Sequence, residues 1–147
     1  MNEFVVADAS LAFKWLVEEE NSDKATAIAR SWDSQGLRLA APCFMPTEVT
    51  NILHRWVVRG ELTIEAAVGL VRDLLSLGIE LHETPGLHTR ALELASQLNQ
   101  GAAYDAHYLA VAESLGSELW TADMRFFRAA RTVVGNVRWI GEDNTPL

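Results

Sequence analysis

A single α/β domain built on a parallel sheet is the fold this sequence predicts, and three observations carry that prediction. Short apolar runs alternate with longer helical segments along the chain, the pattern of a sheet with helices on both faces. The first run, Phe4-Val5-Val6-Ala7, is continuously apolar, as suits a strand buried on both sides. The chain has 147 residues, 49% of them apolar, which is enough for one real core.

The elements follow in order. The Phe4–Ala7 strand ends at Asp8, and Ser10 is the expected cap of a helix over 11–17. Glu18-Glu19-Glu20 ends that helix in solvent. Asn21 or Ser22 caps a second helix to about Ser34, closed by Gly36. A weak second strand spans 38–41. Pro42 and Pro46 flank the start of a helix over 46–58 that carries Glu48 in its first turn and stops at Gly60. Thr63 caps the next helix, with Ile64, Ala67, Leu70, Val71, Leu74 and Leu75 at core spacing and Gly78 as terminator. Ile79-Glu80-Leu81 alternates like a third strand, and Pro85-Gly86 turns the chain into a helix over 87–98. The segment from Ala103 to Leu115 is apolar almost all round, so a buried helix is expected, ended by Gly116 in the left-handed conformation. A strand over 118–121, a helix over 124–131 and a strand over 137–140 complete the chain. Residues 1–140 are read as one domain and 141–147 as a loose C-terminal tail. No repeat or linker interrupts the pattern.

Composition bounds the function. No stretch approaches a membrane span, and Asn2-Glu3 begins no basic-then-apolar leader, so a cytoplasmic protein without membrane contact is expected. The lone Cys43 excludes an intramolecular disulfide and a cysteine-only metal site. A formal net charge of −8 argues against a general nucleic-acid coat protein, which needs a cationic surface. It leaves room for an enzyme whose acids hold cations against a phosphate substrate.

Four acids, Asp8, Glu48, Asp105 and Asp123, each sit beside apolar residues at an element boundary. Ligands of a parallel sheet bind at the carboxyl ends of its strands, and Asp8 and Asp123 both stand just past such an end. If those strands are neighbours, the acids converge. Gathered carboxylates raise one another's pKa, and a divalent cation reverses that cost. Magnesium or manganese takes oxygen ligands from a few carboxylates plus waters and phosphate. Each acid also has a plainer use. Asp123 can cap the helix after it, Glu48 and Asp105 suit the positive ends of their own helices, and Asp8 can begin a turn.

Around the acids, Asn51 shares the helix face of Glu48, while Ser10 and Thr121 flank Asp8 and Asp123 by two positions. These are candidate supporting residues or local backbone caps. Arg55 and Arg59 continue the Glu48 face, and Arg125, Arg128 and Arg131 recur every three residues after Asp123. They are candidates to guide a phosphate backbone, or simply solvated faces paired with acids. His54, His82, His88 and His107 show no ligand spacing. Trp15 and Trp56 are candidate subunit-interface residues.

Taken together these residues resemble the PIN-domain family, and within it the VapC-like toxins of bacterial toxin–antitoxin pairs. Val6-Ala7-Asp8-Ala9-Ser10 is similar to the family's first acid motif and Pro46-Thr47-Glu48-Val49-Thr50-Asn51 to its second. Tyr104-Asp105-Ala106-His107-Tyr108-Leu109-Ala110-Val111-Ala112 is similar to the third, and Thr121-Ala122-Asp123-Met124-Arg125-Phe126 to the fourth. Order and separation match over nearly the whole chain. Thr50 departs from the small apolar residue usual at its place.

The resemblance implies a three-layer α/β/α sandwich and a magnesium- or manganese-dependent endoribonuclease. It implies that Asp8, Glu48, Asp105 and Asp123 form the acid cluster, with Thr121 and Asn51 in support. It also implies an RNA substrate, a homodimer and a cognate antitoxin protein. Two rivals stand beside it. One is a phosphatase or phosphotransferase using Asp8 as nucleophile, weakened because Ser10 stands where a second aspartate is usual. The other is a catalytically idle PIN-like binding domain.

Overall fold

The computed structural model describes residues 3–99 and 103–142. Strand β1 (Phe4–Ala7) leads into α1 (Ala9–Leu16) and α2 (Ser22–Ser34), then β2 (Arg38–Pro42). Helices α3 (Met45–Val58) and α4 (Ile64–Leu75) precede β3 (Glu80–His82), and α5 (Leu87–Leu98) and α6 (Tyr104–Leu115) precede β4 (Leu119–Thr121). Helix α7 (Met124–Ala130) and β5 (Val137–Trp139) close the fold.

All five strands run parallel in the order β3-β2-β1-β4-β5. The apolar opening run therefore lies at the centre, where Val6 pairs with Ala40 on one side and Leu119 on the other. Val5, Val6 and Ala7 are buried, as a strand flanked on both edges and both faces must be. One face packs on α3, α5, α6 and α7 through Val6, Ala40, Met45, Val49, Leu94, Leu109 and Phe126. The other is covered by α2 and the start of α1 through Val5, Ala7, Leu11, Ile28, Trp32 and Trp120. This is the three-layer α/β/α arrangement the resemblance implied. Each large apolar side chain so buried contributes on the order of 1.5–3 kcal/mol.

Local rules explain most boundaries. Thr63 caps α4 by accepting from the Ala66 N–H at 3.1 Å. Gly116 ends α6 at φ +62°, where a side chain would be strained. Two expectations need correction. The cap of α1 is Asp8, not Ser10, because the chain leaves β1 in extended geometry at Asp8 and its carboxylate reaches the Leu11 N–H. On α4, Ala67 and Leu74 are buried, but Ile64 and Leu75 are 58% and 63% exposed, with Val68 beside them. They lie about 100° round the helix from Ala67 and Leu74. Thus α4 carries an outward apolar stripe next to its inward one.

Trp15 and Trp56, expected at a subunit interface, are engaged within the chain. The Trp15 indole donates to the Ala25 carbonyl at 2.8 Å and its ring meets Trp32 edge-on, while Trp56 packs on Phe13. Of the expected tail, Gly141 and Glu142 are described, and the Glu142 N–H donates to the Trp139 carbonyl. Residues 143–147 lie outside the described residues, as does Asn2 of the opening segment. Among the described residues no helix is long and apolar enough to cross a membrane.

Candidate active site

The parallel pairing of β1 with β4 puts their carboxyl ends side by side. The ladder continues one residue beyond β1, since the Asp8 N–H donates to the Trp120 carbonyl at 3.2 Å. Asp8 is 4% exposed and its carboxylate accepts from three donors. Its Oδ1 takes the Leu11 N–H at 3.0 Å and the Ser10 hydroxyl at 2.7 Å, and its Oδ2 takes the Thr121 hydroxyl at 2.5 Å. One carboxylate thus caps α1 and ties β1 to the end of β4. Its lone pairs are not exhausted, so Oδ2 retains accepting capacity.

Ser10 and Thr121 serve backbone and acid together. Ser10 Oγ accepts from the Ala122 N–H at 3.1 Å, and Thr121 Oγ1 accepts from the Asp123 N–H at 3.0 Å. The turn carrying Asp123 is therefore pinned to the one carrying Asp8. Asp123 caps α7 through Oδ1, which accepts from the Phe126 N–H at 3.1 Å, and remains exposed. Capping occupies one of its two oxygens, which leaves the other with accepting capacity.

Glu48, in the first turn of α3, accepts the Tyr108 phenol at 2.7 Å. Tyr108 was not singled out from the sequence. The available signal was its position three residues after Asp105 on a buried helix, since a buried phenol needs a hydrogen-bond partner. Asp105 is half-buried in the first turn of α6, and no donor among the described residues bonds to it. Asn51 stays exposed one turn along α3. Thr50, the departure from the family pattern, satisfies its hydroxyl on the Pro46 carbonyl at 2.7 Å.

The electrostatics report the convergence. Burial pushes Asp8 up to about 7, against the pull of the Thr121, Ser10 and Leu11 donors, and the charge of Asp105 adds to the rise. Burial also raises Glu48, opposed by the Tyr108 hydroxyl and assisted by Asp105. Asp105 is raised by its own burial and then by Asp123. Burial raises Tyr108 as well, followed by the charge of Glu48. Asp105 is thus the shared neighbour: Asp8 and Glu48 feel its charge, and it feels Asp123. No lysine or arginine among the described residues forms an ion pair with any of these four acids.

Other candidates fall elsewhere. Arg55, Arg125 and Arg128 are exposed on α3 and α7, with no ion pair among the described residues. Arg59 bonds Glu61 at 2.7 Å and lies over the Trp56 ring. Arg131 lies over Phe127. A cavity of about 760 Å³ opens between α2 and the β2–β3 edge, lined by Trp15, Trp32, Leu39, Arg38 and Glu80 among others, and none of the four acids borders it. Chemistry rather than hollow volume locates the site. The histidines need one correction. His54 and His82 stand apart, but His88 Nδ1 and His107 Nε2 meet at 3.0 Å, brought together by the packing of α5 on α6.

Among the described residues no three His, Cys, Asp or Glu side chains stand close enough to enclose an ion unaided. The residues nevertheless fit a hard divalent cation: all donors are carboxylate oxygens, and the burial of Asp8, Glu48 and Asp105 beside like charge leaves that charge unanswered. Such an ion commonly uses one or two carboxylates and completes its shell with water and phosphate.

Comparison with known proteins places this arrangement. A family model described as PIN domain matches residues 5–132. A protein of Pyrobaculum aerophilum named Ribonuclease VapC3 is 32% identical over 81% of this chain and 88% of its own. The crystal structure of PAE2754 from the same organism superposes with a TM-score of 0.64 at 25% identity, covering 91% of each chain. That of VapC20 from Mycobacterium tuberculosis, described as a sarcin–ricin loop cleaving toxin, superposes at 0.63 with 21% identity, covering 85% of this chain and 94% of its own.

Proposed function

Because the chain belongs to the PIN-domain family, we propose that it is a metal-dependent endoribonuclease, the toxin component of a toxin–antitoxin pair. One observation carries the chemistry: Asp8, Glu48 and Asp105 hold their protons unusually tightly through burial and neighbouring negative charge, and no cation among the described residues pairs with them. A bound divalent ion answers that charge.

Magnesium or manganese is the proposed cofactor, with Asp8 and Asp105 as principal ligands and Asp123 and Glu48 completing the cluster. When bound, the ion would supply charge neutralisation at the phosphate and an activated water for in-line displacement. The protein's own residues supply the frame. Ser10 and Thr121 fix the Asp8 carboxylate, and Tyr108 aims Glu48. With both oxygens already accepting hydrogen bonds in a buried turn, Asp8 suits a fixed ligand better than a phosphoryl-accepting nucleophile. Asn51 stands at the rim. Arg55, Arg59, Arg125 and Arg128 lie on or just past the two helices that begin beside Glu48 and Asp123, and we assign them to the RNA backbone.

The proposed setting is the cytoplasm. The net charge of −8 suits capture of a basic antitoxin segment. A homodimer is proposed through the outward stripe of α4, Ile64, Val68 and Leu75. Glu65 and Arg72 stand near opposite ends of that helix, so an antiparallel two-fold packing of α4 on α4 sets each glutamate near the other copy's arginine.

Incubating the pure protein with RNA tests the activity. Cleavage is expected with Mg²⁺ or Mn²⁺ and none after chelation; cleavage that survives chelation defeats the reading. Either ion should also raise the Tm of the wild type by binding linkage, and far less that of Asp8→Asn.

A further inference from the structure

His88 is the second residue of α5 and His107 the fourth of α6. Their packing faces the two rings at a centroid distance of 5.2 Å, with His88 Nδ1 3.0 Å from His107 Nε2. Each ring is anchored at its other nitrogen. His107 Nδ1 lies 2.7 Å from the Ala103 carbonyl oxygen, and His88 Nε2 lies 3.2 Å from Glu83 Oε1.

These outer partners decide where the ring protons sit. A carbonyl oxygen only accepts, so His107 Nδ1 carries hydrogen and its Nε2 presents a lone pair. A carboxylate likewise favours hydrogen on His88 Nε2, which lies 3.2 Å from Glu83 Oε1. The two inner nitrogens meet at 3.0 Å, a hydrogen-bond distance, and an ion that displaced the proton between them would use a lone pair from each ring. An imidazole that binds a metal almost always donates its other N–H to a carbonyl or carboxylate. Here both outer anchors are already in place, one of each kind.

We propose that His88 and His107 form a second metal site, for an imidazole-seeking divalent ion of the Zn²⁺, Cu²⁺ or Ni²⁺ class. Two nitrogens bound to one tetrahedral zinc stand about 3.3 Å apart, from bond lengths of about 2.0–2.1 Å. The observed separation is a small ring rotation short of that. The ion reaches the pair from solvent, since the His88 side chain is 64% exposed. Phe44 lies edge-on to His107 at 5.2 Å. No third His, Cys, Asp or Glu among the described residues completes the set, so the remaining positions take water or an outside donor. The site is distinct from the carboxylate cluster in donor type, nitrogen against oxygen, and in hardness. It bridges α5 to the first turns of α6, the segment that also carries Asp105. It stands whether or not the nuclease reading holds.

Cu²⁺ is the probe, added at one equivalent to the untagged, chelator-stripped full chain. Electron paramagnetic resonance should show coupling to two imidazole nitrogens in the wild type and equally in Asp8→Asn. His88→Ala should lose that two-nitrogen signature while keeping its fold, the residue being exposed. Glu83→Gln should keep the signature but bind about tenfold more weakly. Oxygen-only coordination in the wild type, or an unchanged nitrogen pattern in His88→Ala, overturns the proposal.

Discussion

Helix α6 serves two polar clusters of opposite character within its first turns. Asp105 faces the acids at the ends of β1 and β4, and His107, two residues on, faces His88 on α5. On the acid side Asp8 is almost wholly buried and Glu48 and Asp105 are half-buried, so lost solvation raises the pKa of all three, while Asp123 stays exposed. The imidazole pair lies nearer the surface, with His88 exposed and His107 half-buried. The difference teaches what burial does to ligand chemistry. Buried carboxylates raise one another's affinity for protons, whereas the two imidazoles nearer the surface are joined by one directed contact between ring nitrogens.

Breaking the acid side should have the largest effect. Asp105→Asn removes the carboxylate that Asp8 and Glu48 both feel. Metal-dependent RNA cleavage should fall on the order of 100- to 1,000-fold, as for loss of one preorganised electrostatic contact to a transition state. An initial-rate assay reads it. A variant as active as the wild type would remove Asp105 from the cluster.

The next effect concerns stability and pH, and it sharpens the contrast between buried and exposed groups. Asp8 has a folded pKa of about 7 against 3.8 for the free side chain. Folding therefore favours its protonated form. That contribution is fully present below pH 3.8, is lost as pH rises to 7, and is absent above. Without metal, Asp8→Asn lacks this loss. Relative to the variant, the wild type should weaken by a few kcal/mol between acid and neutral pH, since each tenfold gain in proton affinity on folding is worth about 1.4 kcal/mol. Urea melts at both ends of that window, with chelator present, measure it. A pH-independent difference would mean that ionising Asp8 costs the fold nothing.

Smaller effects follow from single donors. Thr121→Val keeps the shape of a fully buried side chain but strips the donor from Asp8 Oδ2. A loss of about 1–3 kcal/mol is expected. Tyr108→Phe frees Glu48 from its phenol and should cost about 1 kcal/mol, read by the same melts. The smallest change belongs to the surface that holds the imidazole side. Arg90 grips Glu113 of α6 through bonds of 2.8 and 3.0 Å, both side chains exposed. Glu113→Gln should lower Tm only slightly, and less at high salt.

Local chemistry made much of this legible from the chain alone. The continuous run Phe4–Ala7 announced a central strand because only such a strand is buried on both faces. Thr63 and Gly116 marked helix ends through capping and left-handed geometry, both decided within a few residues. The four acids stood out because each sits at an element boundary, where a parallel sheet delivers its functional groups. Ser10 misled as a cap because serine and aspartate compete for one role two residues apart, and the exit geometry of β1 chose Asp8. Ile64 and Leu75 misled because spacing gives the face of a helix but not what lies against it.

What the amino-acid order determined, then, is the alternation of strands and helices, their punctuation, and which carboxylates stand at strand ends. What only the tertiary structure decided is partnership. Thr121 bonds Asp8 across 113 positions, Tyr108 reaches Glu48 across 60, and His88 meets His107 across 19. The physical reason is range: caps and periodicity act within a turn or two of chain, whereas hydrogen bonds and lone-pair contacts need approach within about 3 Å, which strand order and helix packing alone can set.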